Sequence, residues 1–395
     1  MENMTEHEFV PFCLNFLKNK ETQYKNYFLQ PPGGSENIYF NQFEMSLYQK
    51  ACYGMNMVYS FSAKNQIEKL LEQVKPDVAL FLNAVYFTDS IIDACKKYKV
   101  PIIWRLSDFN KICANYLLFR DGKPCEECLE KGLWCILKNR CGGYQRSLSA
   151  AVIKTFNMYL SKIRSSNNYI SFFITPSQFT RSKMIKGGFN QEKIVHIPTF
   201  ISGGRKNFEY EPDRNSILYV GRISPEKGVN VIIEAFKRIK NSKAVLSIVG
   251  DKNTDYAQEL IATIPDRLKN RINFLGFKNQ KEVKQLFYKS LFFIVPSVWY
   301  ENQPNVVLEG MSCGRPALVS RLGSLIEMVS EGETGYHFKS GNPEDLAEKI
   351  DILLDHPEKT IEMGKTANKH VTEHHDLQNH LDALNKLFYQ VANKK

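Results

Sequence analysis

Two stretches of this chain combine residue types suited to binding phosphate and hydroxyl groups. The first, Gly221-Arg222-Ile-Ser-Pro-Glu-Lys227-Gly228, follows an apolar run at 217–220 and precedes a helical pattern. Gly221 lets the backbone turn closely. Arg222 and Lys227 place two fixed cations just ahead of a helix N-terminus, a combination that cradles a phosphate or a diphosphate. The spacing is not that of a P-loop and lacks the Gly-Lys-Ser/Thr ending; the plainer reading is a loop with two solvated charges. The second stretch runs from Pro296 through Glu301 and Pro304 to Glu309. Pro304 fits the start of a helix, where a missing N–H costs nothing. The amides of Asn305, Val306 and Val307 then lack intrahelical partners and suit anionic oxygens. Glu309, one helical turn further in, can accept hydrogen bonds from vicinal hydroxyls such as those of a ribose. The plainer reading is two glutamates on a solvated helix.

The elements that must position these residues are legible in the hydrophobic pattern. Helical spacing at 66–74, ended by Pro76, is followed by a buried strand at 78–82. A helix at 90–99, a strand at 101–105, a helix at 147–164 and a strand at 172–175 come next. Ser177 then caps a short helix, and 193–197 is a further strand. The segment 199–214, with Gly203-Gly204 and six charged residues, reads as a linker. A second series has strands at 217–220, 245–249, 272–275, 292–295 and 316–320, separated by helices at 229–240, 256–264, 281–288 and 305–313. Such alternation builds parallel sheets covered on both faces. Two series around a linker predict an α/β protein of two Rossmann-like domains, with ligands bound at the carboxyl ends of the strands, in the cleft between them.

Composition narrows the function classes. The chain has 395 residues, 43% hydrophobic and 24% charged, which fits globular domains and excludes a disordered chain or a coiled coil. No apolar run approaches the ~18–20 residues of a membrane span. Met1 to Glu8 is acidic and polar, unlike a signal peptide. A cytoplasmic protein is therefore expected. The net charge of +10 is uneven: residues 101–200 carry +9, while 301–395 carry −5. Between Glu130 and Glu192 no acid occurs, but ten Lys or Arg do. Such a field attracts phosphates, nucleic acid or an acidic membrane face. A nucleic-acid reading rests on charge alone, because no zinc-finger, RNP or helix-turn-helix pattern is present.

The C-terminal half resembles the retaining GT-B glycosyltransferases of the group 1 family. The matching residues are Tyr219-Val-Gly-Arg222, Glu226-Lys227-Gly228, Val249-Gly-Asp251, Phe274-Leu-Gly276, Pro296-Ser297, Glu301, Pro304-Asn305 and Glu309-Gly-Met-Ser-Cys-Gly-Arg-Pro316, continued by Gly335-Tyr-His-Phe338. They cover roughly 210–375 in order and spacing. The resemblance implies that Arg222 and Lys227 neutralise the diphosphate of a nucleotide diphosphate sugar. It places Glu301 on the donor sugar hydroxyls and Glu309 on the ribose, with the segments near Asp251 and Phe277 at the nucleobase. It implies transfer with retention and no catalytic metal. Gly221, Asn305 and Val306 complete the expected donor-binding set.

The N-terminal half brings departures. Cys125, Cys128, Cys135 and Cys141 fall within 17 residues. A Cys-x-x-Cys pair followed by two further thiols has the arithmetic of a structural zinc site, set against a loop of uncombined thiols. Some polysaccharide-building relatives look similar here, with a Cys-rich insert after a strand. Those relatives carry His-Asp-Tyr or His-Asp-Phe where this chain has Ser107-Asp108-Phe109. Asp108 remains to orient an acceptor hydroxyl, but a serine is no base unaided. The opening is also unusual. Thr5 to Phe12 resembles the family's second strand, so the first βα unit is expected to be missing, through an upstream start or a degenerate copy. The rival takes Pro31 to Glu36 as the Gly-rich loop. Along 148–164, Lys154, Phe156, Tyr159, Lys162 and Arg164 suit a lipid-linked acceptor at an anionic membrane, although Leu148, Val152 and Phe156 are expected to pack inward on the sheet.

The reading is therefore an acceptor-side domain at 1–200 with a Cys-rich insert at 121–145, a donor domain at 201–375 and a helix at 376–395 crossing back. The expected function is glycosyl transfer from a nucleotide sugar to a saccharide or lipid-linked acceptor in surface polysaccharide assembly, with a peripheral site on the inner face of the membrane. The alternative is a non-catalytic nucleotide-sugar-binding or scaffold protein.

Overall fold

The computed structural model describes residues 4–17, 19–31, 54–82, 87–142, 147–201 and 211–393. Two parallel sheets organise it. In the first half, β1 (Ala79–Phe81), β2 (Ile102–Arg105), β5 (Ile170–Thr175) and β6 (Ile194–His196) pair in that order. Helices α1 (Phe61–Val74), α2 (Ser90–Lys97), α5 (Leu148–Ile163) and α6 (Gln178–Lys186) connect or flank these strands. Local chemistry sets their ends. The Ser60, Ser147 and Ser177 side chains each accept a backbone N–H at a helix start, and Lys75 closes α1 in the left-handed conformation just before Pro76. Between β2 and α5 lies the Cys-rich insert, with the small hairpin of β3 (Phe119–Arg120) and β4 (Lys123–Pro124) and two short helices, α3 (Glu127–Lys131) and α4 (Cys135–Lys138).

The second half is a six-stranded sheet of β7 (Asp213–Val220), β8 (Val245–Val249), β9 (Ile272–Gly276), β10 (Ser290–Val295), β11 (Ala317–Ser320) and β12 (Gly335–Phe338). Its order is β9-β8-β7-β10-β11-β12, all parallel, which is the doubly wound order 3-2-1-4-5-6. The strands are buried on both faces, hence their continuous apolar runs; every residue of β10 is buried. Helices α7 (Val229–Phe236), α8 (Asp255–Ala262), α9 (Gln280–Lys289) and α10 (Asn305–Ser312) follow the strands as the spacing predicts.

Three C-terminal helices complete the chain after the short α11 (Leu325–Met328): α12 (Pro343–Asp355), α13 (Pro357–His374) and α14 (Leu377–Ala392). α13 runs close under α10, where Asn368 donates to the Ser312 carbonyl at 2.7 Å. α14 packs on the first sheet. Leu381, Leu387, Phe388 and Val391 share a core with Ile103, Ile174 and Ile197, and His7 bonds Asn385 at 2.8 Å.

Two expectations are corrected. Residues 5–7 form a turn, closed by the His7 N–H on the Met4 carbonyl at 3.2 Å, and 8–12 have no regular structure; none pairs with either sheet among the described residues, and the nearest pairing is an isolated bridge between Leu14 and Leu29. The helix α5 is turned over: Ala151 and Thr155 are buried, while Leu148, Val152 and Phe156 face solvent, Phe156 at 58% exposure. Polar contacts on the inner side set that orientation. The Asn157 amide donates to the Met57 and Val58 carbonyls at 3.0 Å each, and Lys154 lies inside, opposite Asp108. The rival Gly-rich loop from Pro31 to Glu36 lies almost wholly outside the described residues, as do 202–210 of the linker.

Candidate functional site at the switch point of the second sheet

In the doubly wound order, connections leave β7 and β10 in opposite directions, so a crevice opens between their carboxyl ends. Both motifs singled out in the sequence lie there. The loop after β7 touches the loop after β10: the Val298 N–H donates to the Glu226 carbonyl at 3.0 Å. Gly228, at φ +70°, approaches the Pro296 carbonyl so closely that a Cβ would stand 2.1 Å from its oxygen. The Tyr219 hydroxyl pins the first loop by donating to the Arg222 carbonyl at 2.6 Å.

Lys227 and Glu301, 74 positions apart, meet at 2.7 Å. Glu301 is 6% exposed. Its Oε1 also accepts from the Ser297 hydroxyl at 2.6 Å and the Trp299 indole N–H at 2.9 Å. Three donors on one oxygen fix the carboxylate, and among the described residues none of them reaches Oε2. The Lys227 ammonium lies 4.9 Å from the Trp299 ring centre, which adds a cation–π contact. The Glu301 backbone is held as well, through the Ser324 hydroxyl at 2.8 Å. Ser297, Trp299 and Ser324 were missed in the sequence; the first two lie within four residues of Glu301, the signal that could have found them.

The other candidates sit around this centre. Arg222 is mostly exposed and pairs with Glu226 at 3.2 Å. α10 follows Pro304 with no side-chain cap; the Val307 N–H, expected to be open, turns back to the Pro304 carbonyl at 3.1 Å, which leaves the amides of Asn305 and Val306 for a ligand. Glu309 is half-buried on α10, and burial pushes its carboxyl up from the ordinary glutamate range. Gly221 closes against β8, its N–H donating to the Val249 carbonyl at 3.0 Å. Asp251 is exposed and turns its own loop by accepting the Asn253 N–H at 3.0 Å. Phe277 is 83% exposed at the end of β9, unusual for a large ring and available to stack on a planar ligand.

Across the cleft, Asp108 accepts the Asn110 N–H at 2.9 Å. Burial raises its pKa, and burial lowers that of Lys154, which faces it. Ser107, in the place of the expected histidine, donates to the Leu82 carbonyl at 2.9 Å. The Cys-rich insert carries reduced thiols at Cys125, Cys128, Cys135 and Cys141. Among the described residues no three His, Cys, Asp or Glu side chains are disposed to hold a metal ion.

The insert instead reaches the opposite domain through Glu126. The Tyr300 hydroxyl, one residue before Glu301, donates to Glu126 at 2.8 Å, and Lys183 and Lys186 of α6 grip the same carboxylate. Asn302 accepts from Thr180 at 3.0 Å, and Gln303 from the Thr199 N–H at 2.6 Å. Burial alone would raise the pKa of Glu126, but hydrogen bonds from Lys183, Lys186 and Tyr300 outweigh it and bring it to about 2, from an ordinary 4.5. A depressed folded pKa contributes stability that is fully present above about 4.5 and is lost as pH falls toward 2. Glu126→Gln is therefore expected to lower the melting temperature at pH 7 more than at pH 3. A melting-temperature difference that is the same at both pH values would refute this.

Residues 204–370 match the model of a family described as glycosyl transferases group 1. An uncharacterized glycosyltransferase of Methanocaldococcus jannaschii is 30% identical over 238 residues, which is 54% of this chain and 57% of that protein. Spore coat protein SA of Bacillus subtilis is 26% identical over 226 residues, 53% of this chain and 60% of that protein. The chain thus spans under two thirds of the length of these curated relatives. Among solved structures, HepE of Anabaena in complex with UDP superposes with a TM-score of 0.61 at 19% identity, covering 82% of this chain and 81% of that one. A glycosyltransferase of Rickettsia africae gives 0.61 at 16% identity, covering 94% and 87%. These likenesses show the fold, GT-B: two Rossmann-like domains facing a cleft.

Proposed function

We propose that this chain is a group 1 glycosyltransferase that moves a sugar, with retention, from a nucleoside diphosphate sugar to a saccharide or lipid-linked acceptor in surface polysaccharide assembly. The observation that carries the reading is the Lys227–Glu301 contact at the switch point, with one carboxylate oxygen saturated by protein donors. In this reading residues 201–375 bind the donor, 1–200 bind the acceptor beside an anionic membrane surface, and 376–395 tie the halves together.

As the sugar–phosphate bond breaks, negative charge grows on the leaving diphosphate. Lys227, Arg222 and the amides of Asn305 and Val306 offset it as fixed, preorganised charges and donors. Oε2 of Glu301 accepts from donor sugar hydroxyls while Oε1 stays anchored. Glu309 receives the ribose hydroxyls, and Gly221, Asp251 and Phe277 border the nucleobase. The acceptor hydroxyl, oriented by Asp108, attacks on the face the diphosphate leaves, which preserves configuration; no protein nucleophile is assigned. This mechanism uses no catalytic metal.

UDP in the Anabaena relative makes UDP-sugars the first donors to try. A thermal-shift screen of UDP-, GDP-, ADP- and dTDP-sugars is expected to single out one nucleotide. Release of nucleoside diphosphate from that donor should follow, and Glu301→Ala should lower it by about 10²-fold or more. The anomeric configuration of the product checks retention. The second reading, donor binding without transfer, is favoured by Ser107, whose hydroxyl is engaged by Leu82 rather than serving as a base. Donor binding with no release, or release indifferent to Glu301→Ala, would select it.

A further inference from the structure

We infer that Glu327 of α11 is a positioning residue for Glu301: it holds the start of α6 against the loop that carries the carboxylate. The inference deepens the proposed function and rests on it for the kinetic consequence. The first amides of a helix find no partner inside it. In α6 the Ser177 hydroxyl takes one of them, the Thr180 N–H, at 3.1 Å. The two amides ahead of it turn to the other domain. The Gln178 N–H donates to Glu327 Oε2 at 3.1 Å, and the Phe179 N–H donates to Oε1 at 3.2 Å. Each carboxylate oxygen thus takes one amide, at the helix end where negative charge is favoured.

The same turn of α6 bears on the reacting centre. The Thr180 hydroxyl donates to Asn302 at 3.0 Å, and the Phe179 ring centre lies 4.8 Å from that of Tyr300. Asn302 and Tyr300 are the two neighbours of Glu301 in the chain. Further along α6, Lys183 and Lys186 hold Glu126, to which the Tyr300 hydroxyl donates at 2.8 Å. Packing leaves no slack at the junction. A Cβ on Gly323, just ahead of α11, would stand 3.3 Å from the Tyr300 ring and 3.5 Å from the Phe179 ring.

The start of α11 reaches Glu301 as well, because the Ser324 hydroxyl donates to the Glu301 carbonyl at 2.8 Å. The stretch 324–327 therefore joins the Glu301 backbone at one end and α6 at the other. A glutamine at 327 would keep one acceptor and set its NH₂ against the second amide. The two Glu327 bonds go to α6 rather than to the donor-binding residues, so their loss should spare donor affinity and lower turnover. Glu327 is exposed and water competes for the amides, which makes the expected effect a few-fold change.

The test begins with hydrogen–deuterium exchange of the full chain, which needs no substrate. The Gln178 and Phe179 amides are expected to exchange about fivefold faster in Glu327→Gln than in the parent. Amides of β10 should exchange alike in both, which reports an intact second domain. Kinetics follow with the nucleotide sugar singled out by thermal shift. The kcat for nucleoside diphosphate release is expected to fall about fivefold, with the donor KM and the donor-induced thermal shift unchanged. Thr180→Val supplies a second variant, which removes the Asn302 bond and keeps the side-chain shape. It should show the same split, and the double variant should lose less than the product of the two, since both loosen one joint. The inference is overturned if the two amides exchange as fast in the parent as in Glu327→Gln. It is equally overturned if Glu327→Gln turns over like the parent, or weakens donor binding as much as it slows release. If no nucleotide sugar binds the parent, the proposed function fails, and the exchange of the two amides still decides the role of Glu327.

Discussion

Lys227→Ala is expected to lower nucleoside diphosphate release by about 10²–10³-fold, mostly in kcat. On the proposed mechanism the ammonium sits where charge develops as the sugar departs, so its contribution is larger in the transition state than in the bound donor. The substitution also strips the nearest cation from Glu301, which is 6% exposed. A buried carboxylate without its partner costs about 3–5 kcal/mol, and the donors from Ser297 and Trp299 should keep the loss near the low end. A lower melting temperature is therefore expected beside the kinetic defect. Lys227→Arg separates the two effects. It keeps a cation against Glu301 and should recover most stability, while the larger guanidinium displaces the charge from the diphosphate and leaves turnover low. Should Lys227→Ala release diphosphate at the parental rate, the assignment of Lys227 to the leaving group fails.

Gly228→Ala should be nearly as damaging although it removes no chemical group. At φ +70° a side chain is strained by about 1–2 kcal/mol. More importantly, its Cβ would lie 2.1 Å from the Pro296 oxygen and 3.0 Å from the carbonyl carbon, both backbone atoms that cannot swing aside. The loops after β7 and β10 would have to part, and the Lys227–Glu301 contact spans that gap. Donor-induced thermal shift is expected to vanish, with the melting temperature of the unliganded protein also lowered. Gly332→Ala is the control: at φ +79° with nothing within 4 Å, it carries the strain without the collision. If both alanines behave alike, loop separation is not the cause.

The sequence made the second half legible because its strands are buried on both faces and are punctuated by glycine, proline and capping residues. Residues 245–249, for instance, were bounded correctly by apolar content alone. The linear order could not itself bring Lys227 to Glu301. Their meeting depends on β7 and β10 being neighbours, a property of strand order that spacing alone does not carry. The Tyr300–Glu126 contact joins residues 174 positions apart across the cleft, and nothing near either residue marks it. In α5 the period correctly grouped Leu148, Val152 and Phe156, but a period says which residues share a face, not which face turns inward. That was decided by Asp108 and by the Met57 and Val58 carbonyls, groups remote in sequence.

The loop from Tyr300 to Gln303 has a mechanical consequence. Its residues alternate in allegiance: Tyr300, Asn302 and Gln303 grip the first domain, whereas Glu301 turns back to Lys227 in the second. Separating the halves must therefore pull on the same four residues that hold Glu301 in place. The chain has, in effect, a clutch in place of a lid: its two plates are joined through the very loop that carries Glu301, so a parting of the domains loads that loop first.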